Sequence, residues 1–264
     1  MGTGHLREGD ADLLLAVIEA ARHDDPGPAV PWSLLHGLLR LVPCDLGVSY
    51  QAHDFRQRRR LFLQAAEEDG SGGVEAWSGP TEQEERFWRF WWSSICSWPQ
   101  RTGDLRSVIH TGDFCPTARP LRADPMHAEV LRGVTGELIV SLPAPPGESR
   151  RLLFMRSDGT PFSERDRQVL ELLRPHLYEV WLDAERGRAG VPPLSPREWE
   201  VLALGAAGLS RAEIAAALWI SVGTVRTHME HIRGKLGVHS TAAAAAKALP
   251  YAPAGMLPPV SRGR

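Results

Sequence analysis

The chain has 264 residues, 43% of them hydrophobic and 23% charged, and a formal net charge of −2; this length allows two cores and the balance is ordinary for a soluble globular protein. The charge excludes a polycation that would coat nucleic acid indiscriminately, so any DNA contact has to come from a local patch. Only two of the 30 basic residues are lysines, Lys235 and Lys247, which excludes a P-loop or a lysine-dependent receiver domain upstream of position 235.

The N-terminus MGTGHLREGDAD has no basic stretch leading into an apolar one, and no apolar run approaches the ~18 residues of a spanning helix. A cytoplasmic protein without membrane contact is expected. The spacing of Cys44, Cys96 and Cys115 reads as buried free thiols rather than a disulfide framework or zinc knuckle.

In chain order, a helix is expected over 10–23, broken by DDPGP. A second is expected over 32–42, where Leu34, Leu35, Leu38, Leu39 and Val42 keep a 3.6-residue period. Strand-like runs follow at 46–52, 60–66 and 105–110, with the basic RQRRR at 56–60 as a solvated hairpin turn. The runs 137–142 and 151–156, joined by PAPPGESR, read as an antiparallel hairpin. Ser163 caps a long helix to about 186, kinked at Pro175. Helices flanking an antiparallel sheet make an α+β domain over 1–186. A linker, GRAGVPP, is expected at 187–193, an all-α head at 194–249, and a disordered Pro-rich tail at 250–264.

Within 82–98, Phe87, Trp88, Trp91 and Ile95 share one helical face. Such a cluster reads first as core, and second as the wall of an apolar ligand pocket formed by Trp88, Trp91, Trp92 and Cys96. His127-Ala128-Glu129 is half of a nucleobase-deaminase zinc motif, but the P-C-x-x-C half is missing. With no G-x-S-x-G and no H-E-x-x-H either, no catalytic residue, metal or cofactor is expected.

The head carries denser signals. Ser195, Pro196 and Glu198 form a capping box with proline at the first helical position, and Leu194 and Trp199 staple that start. Gly208 ends the helix. Ser210 and Glu213 open a short helix through about Leu218, and Ser221 caps a third. In the third, Val225, Met229, Ile232 and Leu236 make one apolar stripe, so Arg226, Thr227, Glu230 and Arg233 face away. A short helix, a tight turn and a helix with a polar outward face is the geometry of groove recognition. Over 195–247 six basic residues face four acidic ones, a local +2 against −4 elsewhere.

The strings LSPREWEVL, AEIAAAL and ISVGTVRTHMEHIRGKLGV are very similar to the LuxR-type helix-turn-helix. That resemblance implies a four-helix module binding DNA as a dimer, with its fourth helix at about 240–248 on the dimer contact. Carried over, the base-contacting positions are Arg226, Thr227 and Glu230, and the backbone-contacting positions are Ser221, Thr224, His228, Arg233 and Lys235. Glu230 departs from the family, where the position is often basic or small. The stretches CSWPQRTGDLRSV, LPAPPGESRRLLFMR and FSERDRQVLELLRPHL resemble the GAF-type sensory half of actinobacterial LuxR regulators over most of 30–186. The residue pattern of acyl-homoserine-lactone sensors is not matched there. The expected partners are double-stranded DNA, a second copy of the chain and RNA polymerase, with the identity of any small-molecule ligand open. A scaffold whose head binds protein is the competing class.

Overall fold

The computed structural model describes residues 6–76, 78–79, 81–114 and 123–253. The chain divides into two compact units, Met1–Trp181 and Leu182–Arg264. Cys115 and residues 254–264 of the expected tail lie outside the described residues.

The first unit opens with helices α1 (Asp10–His23) and α2 (Trp32–Leu41). Strands β1 (Val48–Asp54), β2 (Arg59–Ala66) and β3 (Gly72–Ala76) follow as a meander, with RQR in the first turn. Strand β4 (Val108–His110) and the hairpin β5 (Gly136–Leu142) and β6 (Glu148–Arg156) complete one sheet, ordered β3-β2-β1-β6-β5-β4 and antiparallel throughout. Among the described residues, the short helices α3 (Glu82–Phe90), α4 (Trp98–Thr102) and α5 (Pro125–Glu129) lie between β3 and β5. The unit's last helix, α6 (Glu164–Arg188), contains Pro175 and runs across the division between the units.

Alternation along the strands gives the sheet two different faces. On one, Tyr50, Leu138, Leu152 and Phe154 are buried, as are Leu34, Leu35 and Leu38 of α2 and Leu170 and Leu173 of α6. Gln64, fully buried, anchors the α1–α2 connection to this face. Its Nε2 donates to the Val30 carbonyl at 2.9 Å, and its Oε1 accepts from the Ala29 and Val30 amides. On the opposite face the register sets Gln51 beside Arg151 and Ser49 beside Leu153, and Glu137 beside Met155.

Two local departures from the sequence reading matter here. Helix α3 stops at Phe90, and 3₁₀ turns at Trp91–Ser93 and Ile95–Ser97 replace the single helical face expected over 82–98. Strand β3, glycine-rich and exposed, carries none of the alternation that marks a strand.

In the second unit, α7 (Pro196–Ala206), α8 (Arg211–Leu218), α9 (Val222–Leu236) and α10 (Thr241–Ala248) enclose one core. It is built from Trp199, Val201, Leu202, Ile214, Val225, Ile232, Leu236 and Ala244 among others. Among the described residues no helix is long and apolar enough to cross a membrane.

Candidate nucleic-acid interface and ligand cavity

Each head helix begins where a side chain satisfies its free amides. The Ser195 hydroxyl accepts from the Glu198 amide at 3.3 Å, and the Glu198 carboxylate accepts from the Ser195 amide at 2.7 Å. Ser210 and Glu213 repeat the reciprocal pair at 3.3 and 2.8 Å. Between α8 and α9 the chain turns through Trp219, whose φ of 54° lies in the left-handed region that disfavours a bulky residue. Its indole is 94% exposed. Ser221 then caps α9, accepting from the Thr224 amide at 3.0 Å, and the two hydroxyls lie 2.9 Å apart. Gly237, at φ 65°, ends α9 in the left-handed conformation that favours glycine.

The apolar stripe of α9 is buried at Val225, Met229, Ile232 and Leu236, which turns Arg226, Thr227 and Glu230 to solvent. Arg226 Nε lies 3.8 Å from Glu230 Oε1, with both side chains more than half exposed. The Thr227 hydroxyl donates to the Gly223 carbonyl. Ser221 and Thr224 are exposed at the N-terminus of the helix, where free amides favour an anion. His228 and Arg233 are half-buried, and Arg233 Nε donates to the Met229 carbonyl. An exposed arginine can reach both guanine acceptors and a threonine can touch a thymine methyl, so the outward face carries groups able to read base edges.

Lys235 has a second engagement that the sequence does not reveal. Its ammonium donates to Glu198 Oε2 at 2.7 Å and to the Pro193 carbonyl at 3.3 Å, tying α9 to the start of α7. Burial opposes ionisation of Glu198, but Lys235 and the Ser195 amide outweigh it and hold the carboxyl below its ordinary value. The two residues are 37 positions apart, beyond the reach of any local pattern.

In the first unit the four pocket candidates separate. Trp91 is fully buried and Trp88 nearly so, in a cluster with Phe87 and Cys96, while Trp92 is 44% exposed. Cys96 alone of the four lines the cavity of about 250 Å³ on the sheet face that carries Gln51 and Arg151. Past the end of α3 at Phe90, Trp91 still packs on Trp88, with ring centroids 5.3 Å apart, whereas Trp92 is turned to solvent. Leu63, Phe87, Leu131, Leu153 and Met155 supply the apolar walls. Arg60 reaches this face through a β-bulge at Ala52/His53, which pairs His53 with Arg60 and skips Leu61.

Several of the cavity's polar groups are held by hydrogen bonds to neighbours. Arg151 Nε and Nη2 donate to Gln51 Oε1, and Nη1 donates to the Cys96 carbonyl. Glu137, fully buried, pairs its Oε2 with His127 Nε2 at 3.0 Å, and His127 Nδ1 meets Asp124 Oδ2 at 2.8 Å. Burial works against a charge on His127, yet Glu137 and Asp124 outweigh it and raise its pKa. His53, enclosed by Phe87, Trp88 and Trp91, is pushed well below the ordinary imidazole value by burial, with Arg151 and Arg60 adding repulsion. Burial likewise lifts the Cys96 thiol to about 11, and the Cys44 thiol to about 12.

Known proteins resemble the chain chiefly through a short segment. It is 44% identical over 61 residues to the transcriptional regulatory protein MctR of Rhizobium johnstonii, covering 23% of this chain and 28% of that protein. It is 36% identical over 69 residues to the HTH-type transcriptional regulator MalT of Yersinia enterocolitica, covering 24% of this chain and 8% of that one. The chain thus spans less than a third of either relative. Among solved structures, SdiA in complex with octanoyl-rac-glycerol superposes at a TM-score of 0.40 with 17% identity, over 92% of this chain and 96% of that one. Residues 192–248 match the family described as bacterial regulatory proteins, luxR family, and the four capped helices they span are a helix-turn-helix domain of that family.

Proposed function

We propose that the protein is a sequence-specific, DNA-binding transcriptional regulator that works in the cytoplasm, has no enzymatic activity and responds to a small ligand held by its N-terminal domain. One observation carries the reading. Helix α9 buries one stripe and presents Arg226, Thr227 and Glu230 to solvent, within a segment that matches a family of regulators. In this reading α9 enters the major groove, those three residues meet base edges, and Ser221, Thr224, His228, Arg233 and Lys235 meet the backbone. The protein acts as a homodimer, because one head buries too little surface for the usual specific affinity, and RNA polymerase is the further partner. The division into a domain at 1–186, a linker at 187–193 and a head at 194–249 belongs to the proposal, so a fragment cut at Gly190 is expected to fold.

The exposed Trp219 favours a second reading, a head that docks protein, since large exposed apolar groups mark contact surfaces. Selection from a random DNA pool separates the two. A regulator enriches two-fold-related half-sites about one helical turn apart, and its retention falls steeply with salt. Failure to enrich any sequence, with retention indifferent to salt, would sink the DNA reading.

A further inference from the structure

Two residues that line the cavity of the N-terminal unit, Glu137 and His53, each carry a buried polar atom with no hydrogen-bond partner among the described residues, Oε1 and Nδ1. Glu137 lines the cavity and is fully buried, and while its Oε2 is held by His127, its Oε1 has no hydrogen-bond partner among the described residues. A buried carboxylate oxygen without a partner is costly, and native structures retain few of them. The residue is also firmly placed. Its amide donates to Thr111 Oγ1 at 2.7 Å, the Thr111 hydroxyl donates back to the Glu137 carbonyl at 3.1 Å, and the Asp124–His127 pair fixes the other carboxylate oxygen. By contrast, the Arg151 nitrogens all have protein partners, Gln51 Oε1 and the Cys96 carbonyl. The carboxylate oxygen left over is therefore on Glu137, with His53 Nδ1 as the other cavity atom without a partner among the described residues.

Charge narrows the ligand further. The charged groups on or behind the cavity wall are already engaged, Arg60 with Glu75 and Glu84, and His127 with Asp124 and Glu137. An ammonium entering this space meets carboxylates that already have partners in Arg60 and His127, and a carboxylate meets the bare oxygen of Glu137. Either ion would lose part of its hydration against the apolar walls formed by Leu63, Phe87, Leu131, Leu153 and Met155. The volume of about 250 Å³ lies at the small end for ligand sites and suits a compact molecule.

We propose that the cavity binds a compact, uncharged, largely apolar molecule bearing a hydroxyl or amide N–H that donates to Glu137 Oε1. The proposal rests on the ligand-responsive reading above and gives that ligand a chemical class. Calorimetric titration of the full chain with four matched probes tests it: 4-propylphenol, its methyl ether 4-propylanisole, 4-propylbenzoate and 4-propylbenzylamine.

The phenol is expected to bind about ten- to a hundredfold more tightly than the ether, which fills the same space but leaves the carboxylate oxygen unpaired. Both charged probes should bind more weakly than the phenol. Glu137→Gln can turn its amide N–H₂ toward the ligand and should erase the preference for phenol over ether. Equal affinity for phenol and ether overturns the donor assignment while leaving the cavity a ligand site. Tightest binding by the amine or the benzoate overturns the uncharged class. If none of the four binds, the ligand-site reading itself falls. The comparison of probes is made on the unmodified chain, so it stands even if Glu137→Gln fails to fold.

Discussion

Glu198 does two jobs in the head, and separating them gives a quantitative test. Its carboxylate caps α7 through the Ser195 amide and holds Lys235 of α9 at 2.7 Å. Glu198→Gln keeps the size and a capping oxygen but removes the charge that Lys235 needs. Hydrogen bonds to charged groups contribute about 1.5–3 kcal/mol. The Lys235 side chain is 40% exposed, so solvent screening brings the expected loss down to about 1–2 kcal/mol. Amide exchange in α7 and α9, followed by mass spectrometry on the full chain, should then accelerate about 5- to 30-fold.

The same carboxylate sets a pH dependence whose sign is fixed. Its folded-state pKa is depressed below the ordinary 4.5, so the stabilisation is fully present above that value and is lost as the pH falls through the folded pKa. Acidification should therefore loosen α7 and α9 of the parent more than those of Glu198→Gln, once intrinsic exchange rates are corrected. Unchanged protection in Glu198→Gln at neutral pH would refute the tie between the two helices.

Arg226→Ala removes an exposed side chain that makes a 3.8 Å contact with an exposed glutamate, so circular dichroism should show an intact fold. Titration against selected and scrambled DNA at one salt concentration should show specific affinity falling about 5- to 150-fold and non-specific affinity falling much less. In α2, a Cβ on Gly37 would lie 2.7 Å from Val17 Cγ1. Gly37→Ala should therefore lower the urea midpoint despite better helix propensity, and Val17→Ala in the same chain should restore it. In a Cys115→Ser background, Cys44 and Cys96 should resist a thiol reagent at pH 8 until the protein is unfolded, because burial keeps both protonated.

The head was legible because its signals are local. Ser195 with Glu198, and Ser210 with Glu213, lie three residues apart, and the buried stripe of α9 repeats every helical turn. The cavity was not legible for the opposite reason. Glu137, Gln51 and Arg151 come to line one cavity only through strand pairing, Gln51 and Arg151 bonding across 100 positions, and Arg60 joins them through a bulge that no propensity announces. His127 showed in the sequence as half of a zinc motif, whereas in the fold its ring bridges two carboxylates. The aromatic run at 82–98 has helical spacing, but the chain leaves the helix at Phe90, so spacing alone put Trp88, Trp91 and Trp92 on one wall.

The turn at Trp219 gives the protein a built-in spectroscopic probe. Of the two tryptophans in the second unit, Trp199 is 3% exposed and Trp219 is 94% exposed. Their emission should separate accordingly, blue-shifted for the first and red-shifted for the second, and a soluble collisional quencher should reach only the second. The difference between the parent and Trp219→Phe isolates light from a single indole at the entrance to α9. Anything that covers that turn, whether nucleic acid or another protein, should change its quenching without any label being attached.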